Sequence, residues 1–280
     1  MVDKAKDDDF MGRFREIVSD PLNLAIRRKP YAGLVDSNYV YLHNGLKVPI
    51  SGSYAYYGKC SSILAINRGV HEPLEEFVFQ ELIKELPNSP IMLELGAYWG
   101  HYSMWLKLAR SSATVHLVES ELQNLSVGKQ NFELNGLTGI FTHAFVGKEK
   151  FSVDRYIAEK GIEKVDILHS DIQGYEVEML YDCSQSLNNK CIDYLLISTH
   201  SQQLHHSVLR QLDGFGYRVE ISSDFDFETT SFDGFIFASS PYKEAVFKQF
   251  TPMSRVQIAK AQPVHLIEYL SNVAEVTKIH

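Results

Sequence analysis

The sequence predicts an α/β fold: a doubly wound, mainly parallel sheet of seven strands with an antiparallel last strand, flanked by an N-terminal cap over 1–70 and a helical extension over 241–280. Two observations predict it. From Pro73 onward, short apolar runs alternate with stretches of helical or mixed period, the pattern of a sheet covered on both faces. The last two runs, "YRVEI" and "DGFIFA", are joined by "SSDFDFETTSF", which leaves no room for a crossover helix, so these strands pair antiparallel.

The cap comes first. Arg13, Arg15, Arg27, Arg28 and Lys29 are interspersed with short apolar groups, and "YVYLHNGLKVPI" places Asn44-Gly45 between strand-like runs, which predicts a type I′ hairpin. The remainder, 71–240, opens with "PLEEFVFQELIKEL", which sets Leu74, Phe77, Val78, Leu82 and Leu86 on one helical face behind Pro73, a residue suited to a first turn. Strands are expected near 91–95, 114–118, 140–145, 165–170, 194–199, 216–221 and 234–238. After Ser240, Val264, Ile267, Leu270 and Val273 recur at helical spacing, a face that packs on the core or on a second copy of the chain, with the core preferred.

Composition excludes several functions. Of 280 residues, 45% are hydrophobic, enough for one large core, and the formal net charge of −8 offers no long-range attraction to phosphate backbones or anionic lipid, so neither nucleic acid nor membrane is expected as a partner. The charged start "MVDKAKDDDF" lacks the apolar core of a secretory signal, and no stretch approaches the roughly 18 apolar residues of a membrane span, so a cytoplasmic protein is expected. Cys60, Cys183 and Cys191 lack paired zinc-site spacing and read as reduced thiols.

The first strand-to-helix turn carries the function. In an open parallel sheet this turn holds the ligand. Here it reads Glu94-x-Gly96-Ala97-Tyr98-x-Gly100 rather than the GxGxxG that seats a dinucleotide pyrophosphate, and Glu94 would repel a diphosphate but suits an ammonium group. Glu119, 23 residues after Gly96 and followed by Ser120, ends the next strand, where a carboxylate accepts ribose hydroxyls. A ribose together with an ammonium points to S-adenosylmethionine.

The sequence resembles the FkbM family of O-methyltransferases, which have the class I, Rossmann-like methyltransferase fold. The resemblance runs from about Glu72 to Phe237 through "HEPLEEFVFQEL", "LELGAYWGHYSMWL", "LVESELQNLSVGKQNFELNG", with Asn131 and Asn135 at the family's asparagine places, and "VDILHSDIQGYEVEML". It departs from the family pattern at Tyr98 (usually asparagine), His169 (often lysine), Gln173 (glutamate) and Ser198 (often glutamate). The resemblance implies S-adenosylmethionine bound by Glu94, Gly96, Ala97, Tyr98, Gly100, Glu119, Ser120 and Asp171, and methyl transfer to a hydroxyl of a small polar acceptor such as a glycoside, sugar or natural-product intermediate.

A hydroxyl needs a base or a metal to become a nucleophile. His200, following the fifth strand, is the first choice as base; Asp171, following the fourth, orients it, contacts the cofactor or joins His200 in binding a divalent metal; His169 is a second base or a satisfied core histidine. Glu176 is expected to stabilise the first turn of its helix rather than reach the site. His205 and His206 lack the i, i+4 spacing of a zinc pair with each other or with His200. Tyr54, Tyr56 and Tyr57 read as cap packing before sugar stacking. Two other readings stay open: an NAD-linked oxidoreductase and a catalytically silent cofactor-binding scaffold.

Overall fold

The chain builds a seven-stranded sheet in the order β6-β5-β4-β7-β8-β10-β9; a computed structural model describes residues 10–56, 61–147 and 151–277. Cys60, Tyr57 and the acidic run at 7–9 lie outside the described residues. The strands are β4 (Ile91–Leu95), β5 (Thr114–Glu119), β6 (Ile140–His143), β7 (Val165–Ser170), β8 (Ile192–Thr199), β9 (Arg218–Ser223) and β10 (Gly234–Ser239). All neighbouring pairs from β6 to β8 are parallel, and β10 runs antiparallel to both β8 and β9. The order reverses between β4 and β5 on one side and β7 on the other, which opens a crevice at the carboxyl ends of these strands.

Alternation along each strand sorts the core into two layers. Met92, Leu117, Ile167, Leu196 and Phe237 face one cluster, while Leu93, Val118, Leu168, Leu195 and Ile236 face the other. The first layer takes α3 (Pro73–Glu85), α4 (His101–Ala109) and α5 (Leu122–Leu134). The second takes α6 (Val153–Lys160), α7 (Glu176–Asp182), α8 (Ser184–Asn188) and α9 (Gln202–Gly214). No helix among the described residues is long and apolar enough to cross a membrane.

The N-terminal segment contains α1 (Phe10–Ser19), a small antiparallel sheet of β1 (Val35–Asp36), β2 (Tyr39–Tyr41) and β3 (Lys47–Pro49), and α2 (Ser62–Ile66). Its Phe14, Ile17, Leu22, Val40 and Leu42 belong to the same buried cluster as Phe77 and Phe79 of α3. Asn135 fastens it from below: its Oδ1 accepts the Lys47 N–H at 3.0 Å and its Nδ2 donates to the Lys47 carbonyl at 2.9 Å. The β2–β3 hairpin is present, but its turn differs from the expectation. Leu42 N–H bonds to Leu46 O, Gly45 N–H bonds to Leu42 O, and Gly45 has φ +97° while Asn44 does not have positive φ. A type I′ turn needs positive φ at both central residues, so this is a three-residue loop with glycine as the left-handed closing residue.

Burial of α3 also exceeds its apolar stripe. Glu75, Glu76, Gln80 and Glu81 are buried because the cap lies across the helix's polar face, with Gln80 accepting the Arg27 N–H at 2.7 Å and donating to Ala25 O at 3.2 Å. At the other end, α10 (Arg255–Lys260) starts in a capping box and α11 (Pro263–Thr277) follows. Of the expected stripe, Val273 is buried, but Val264 and Ile267 are exposed. The docked face is shifted to Tyr269, Val273 and Val276 at spacings of four and three, which pack on the core.

Candidate active site

Gly96 and Gly100 shape the turn between β4 and α4. Gly96 has φ +71°, and a Cβ there would lie 1.7 Å from the Asp171 carbonyl oxygen, so only glycine lets the turn pass the end of β7. The Gly96 and Ala97 N–H groups donate to Val118 O at 2.9 and 3.1 Å, which ties the turn to β5. Tyr98 is held at φ +39°, a costly conformation for a bulky residue, and its N–H donates to Glu119 Oε2 at 3.0 Å. Its hydroxyl reaches the cap at Ala55 O, 3.3 Å away.

Glu119 stands at the tip of β5, buried, with Oε1 accepting the Glu121 N–H at 2.9 Å and the Ser120 hydroxyl at 3.3 Å. It borders a hollow of about 190 Å³ lined by Gly96, Tyr98, Ser120, Phe145, Asp171 and Tyr175 among others. Glu94 faces a second, smaller hollow of about 40 Å³ with Glu72, Glu75, His71 and His169. Gly96, Tyr98 and Asp171 line both. The two carboxylates expected to grip one ligand therefore flank the glycine turn on adjoining hollows. Burial raises the Glu94 pKa, and its Oε2 accepts the Ser103 N–H of α4 at 3.2 Å.

His169 is not a free base. Its Nε2 lies 2.6 Å from Glu75 Oε1, whose other oxygen accepts the Ser198 hydroxyl at 3.3 Å. Burial would lower the His169 pKa, but the Glu75 hydrogen bond and charge outweigh it and push the ring up to about 9.

His200 and Asp171 meet, as the order of strands β7 and β8 requires. His200 Nε2 is 3.1 Å from Asp171 Oδ1 and 3.6 Å from Asp233 Oδ1, while Nδ1 is 2.8 Å from Glu176 Oε1. Gln173 Nε2 contacts both Asp171 Oδ1 at 2.9 Å and His200 Nε2 at 2.8 Å. Burial pulls the His200 pKa down, yet the hydrogen bonds to Asp171 and Glu176 and the charge of Asp233 raise it to about 11. In that charge state the ring holds no lone pair for a proton. Glu176, expected first to favour its helix start and second to reach the site, is fully buried and bonds to His200 Nδ1.

Asp233 was missed, although its place was readable: it immediately precedes the antiparallel strand β10, whose start must lie at the carboxyl edge of its parallel neighbours. His205 is buried between Thr199 Oγ1 at 2.8 Å and Ser222 Oγ at 2.9 Å, a core histidine that burial lowers to about 4. Tyr56 packs, tilted, 4.8 Å from Trp99.

A pH dependence follows from the histidine. Because folding raises its pKa from 6.5 to about 11, His200 contributes stability that is complete below about pH 6.5 and is lost as pH climbs through about 11. Asp171, lowered from 3.8 despite burial by its bond to His200, contributes with the opposite sense and loses its share as pH falls. Urea unfolding between pH 7 and 10 is expected to show stability declining with pH, and His200→Gln is expected to flatten that slope by up to one proton.

Comparison with solved structures finds similar chains at low identity. Precorrin-6y C5,15-methyltransferase from Geobacter metallireducens GS-15 is 12% identical, covering 59% of this chain and 86% of that one, with a TM-score of 0.43. TrmK of M. capricolum, solved with S-adenosyl-homocysteine, is 15% identical over 72% and 85%, TM-score 0.43. The hMettl16 catalytic domain, solved with the MAT2A 3'UTR hairpin 1, is 12% identical over 65% and 74%, TM-score 0.47. No curated protein matches the chain. The model of the methyltransferase FkbM domain matches residues 39–219, from the β2–β3 hairpin to the start of β9, and with that match the chain belongs to the FkbM methyltransferase family.

Proposed function

We propose that this protein transfers a methyl group from S-adenosylmethionine to a hydroxyl of a small polar acceptor, with a glycoside, sugar or natural-product intermediate as the leading class. The observation that carries the reading is the Glu119 carboxylate: Oε1 takes the Glu121 N–H and the Ser120 hydroxyl, while Oε2 takes the Tyr98 N–H and retains acceptor capacity for a ribose hydroxyl at the rim of the larger hollow. The residues fit the cofactor. Glu72, Glu75 and Glu94 around the smaller hollow suit its ammonium, and the His169 imidazolium supplies a cation for its carboxylate. When bound, S-adenosylmethionine supplies an electrophilic methyl group on a sulfonium.

The Asp171, His200 and Asp233 group marks the acceptor side. One ligand atom from each lies within 4.8 Å of the others, and Glu176 holds His200 Nδ1, leaving Nε2 directed at the two aspartates. A histidine fixed by a buried carboxylate through one nitrogen is the usual arrangement of a metal ligand. A divalent cation here would displace the Nε2 proton and supply the acidifying charge that an imidazolium flanked by carboxylates does not. The net charge of −8 supports a small acceptor over a polyphosphate chain.

Calorimetry is expected to show binding of S-adenosylhomocysteine and none of NADH. Labelled cofactor incubated with pooled small hydroxylated metabolites should yield labelled product, and chelation is expected to slow its formation by about 100-fold or more, with Mg2+ or Mn2+ restoring it. Label recovered without hydroxyl methylation would refute the acceptor class; no label under any condition would make the chain a silent binder.

A further inference from the structure

A second cluster of ligating side chains lies behind the smaller hollow, which His101 also lines. His43 in the β2–β3 turn, Glu76 on α3 and His101 at the start of α4 converge in the interior, each no more than 1% exposed. His43 Nε2 is 3.0 Å from Glu76 Oε2, His101 Nε2 is 3.9 Å from the same oxygen, and the three ligand atoms lie within 4.8 Å of one another.

The polar bookkeeping of this cluster does not close with protein atoms alone. Glu76 Oε1 is saturated by the His71 and Glu72 N–H groups at 2.7 and 3.1 Å and faces His71 Nδ1 at 2.7 Å. Its Oε2, His43 Nε2 and both ring nitrogens of His101 are buried without a hydrogen bond. His43 Nδ1 sits 3.3 Å from the Arg27 carbonyl, which places a hydrogen on that nitrogen and leaves Nε2, 3.0 Å from Glu76 Oε2, to be joined to the carboxylate by a proton or a cation. His101 has neither, and leaving its ring nitrogens unpaired in an apolar interior costs about 1–3 kcal/mol each. The surroundings are aromatic: Trp99 stacks on His101 at 4.8 Å, and Trp105 stands edge-on to His43 at 4.3 Å.

We propose that His43 Nε2, Glu76 Oε2 and His101 Nε2 bind a divalent transition-metal ion, Zn2+ or a similar borderline cation, that clips the N-terminal hairpin to α3 and α4. Metal–ligand bonds near 2.0–2.2 Å place ligand atoms roughly 3–4 Å apart; the two separations from Glu76 Oε2, 3.0 and 3.9 Å, fall in that range, and the two histidines approach within 4.8 Å. Two imidazoles and one carboxylate suit Zn2+, with water completing a tetrahedron. The Arg27 carbonyl fixes the His43 tautomer as outer partners of metal-bound histidines do.

Protein stripped with a chelator, reloaded with Zn2+ or Co2+ and desalted is expected to retain about one equivalent by elemental analysis. Reloading with excess Zn2+ should raise the thermal midpoint by on the order of 5 °C. Because the strand-end cluster has a single histidine, the Asp171→Asn/Asp233→Asn double variant separates the two sites: it should keep the equivalent, and X-ray absorption of its Zn2+ form should show two imidazoles. Glu76→Gln and His101→Asn should lose it. Retention below about a tenth of an equivalent, a one-imidazole spectrum, or retention in folded His101→Asn would overturn the assignment. Where circular dichroism shows that a cluster variant has not folded, the imidazole count of the parent protein decides alone.

Discussion

Gly96→Ala is expected to destabilise the protein by about 2–5 kcal/mol, from a left-handed conformation costing about 1–2 kcal/mol and overpacking costing about 1–3. The added Cβ would sit 1.7 Å from the Asp171 carbonyl oxygen, backbone against backbone, so no side chain can swing away to relieve it. Relief would need the β4 exit and the β7 exit to separate. The Asp171 N–H bond to Leu95 O at 2.9 Å and the Gly96 and Ala97 bonds to Val118 O resist that movement. Both hollows share Gly96, so whatever folds should also fail to bind S-adenosylhomocysteine. Urea denaturation alongside calorimetry reads both effects. A stable variant with unchanged binding would show that the turn is not packed against β7.

Glu119→Ala should leave the fold standing but reduce affinity for S-adenosylhomocysteine by about 100- to 1000-fold, the equivalent of losing two charge-assisted hydrogen bonds. It would also strand the Tyr98 and Glu121 N–H groups, so the turn that borders the hollow should loosen as well. Glu119→Gln distinguishes the contributions. The amide keeps one acceptor oxygen, but its NH2 must face one of these two N–H donors, so an intermediate affinity is expected. Equal affinity for all three proteins in calorimetry would remove Glu119 from the cofactor site.

The strands were legible because each is a short apolar run bounded by polar or turn residues, and the fifth differs only in starting at Ile192, where Val165 N–H already bonds to Cys191 O. The meeting of Asp171 and His200 was legible for a topological reason: adjacent parallel strands end at the same edge. The role of His200 was not, because its charge state depends on Glu176 and Asp233, one in a helix start that reads as ordinary and one before the reversed strand. Glu75 and Glu76 were missed for another reason. Adjacent charges on a helix read as a solvated face, and only the cap's passage across α3 buries them. Similarly, helical spacing around Val264 indicated a helix but not which of two neighbouring stripes would dock.

Asn135 binds both backbone groups of Lys47, and the Tyr98 hydroxyl reaches Ala55, so the described residues of 10–56 are stitched to the sheet's helices and turns at several points. They do not form an interchangeable cassette. Grafting this region from a homologue would have to carry the matching positions at the end of α5 and in the glycine turn with it, and a chimera without them would inherit a bare, oily face and precipitate.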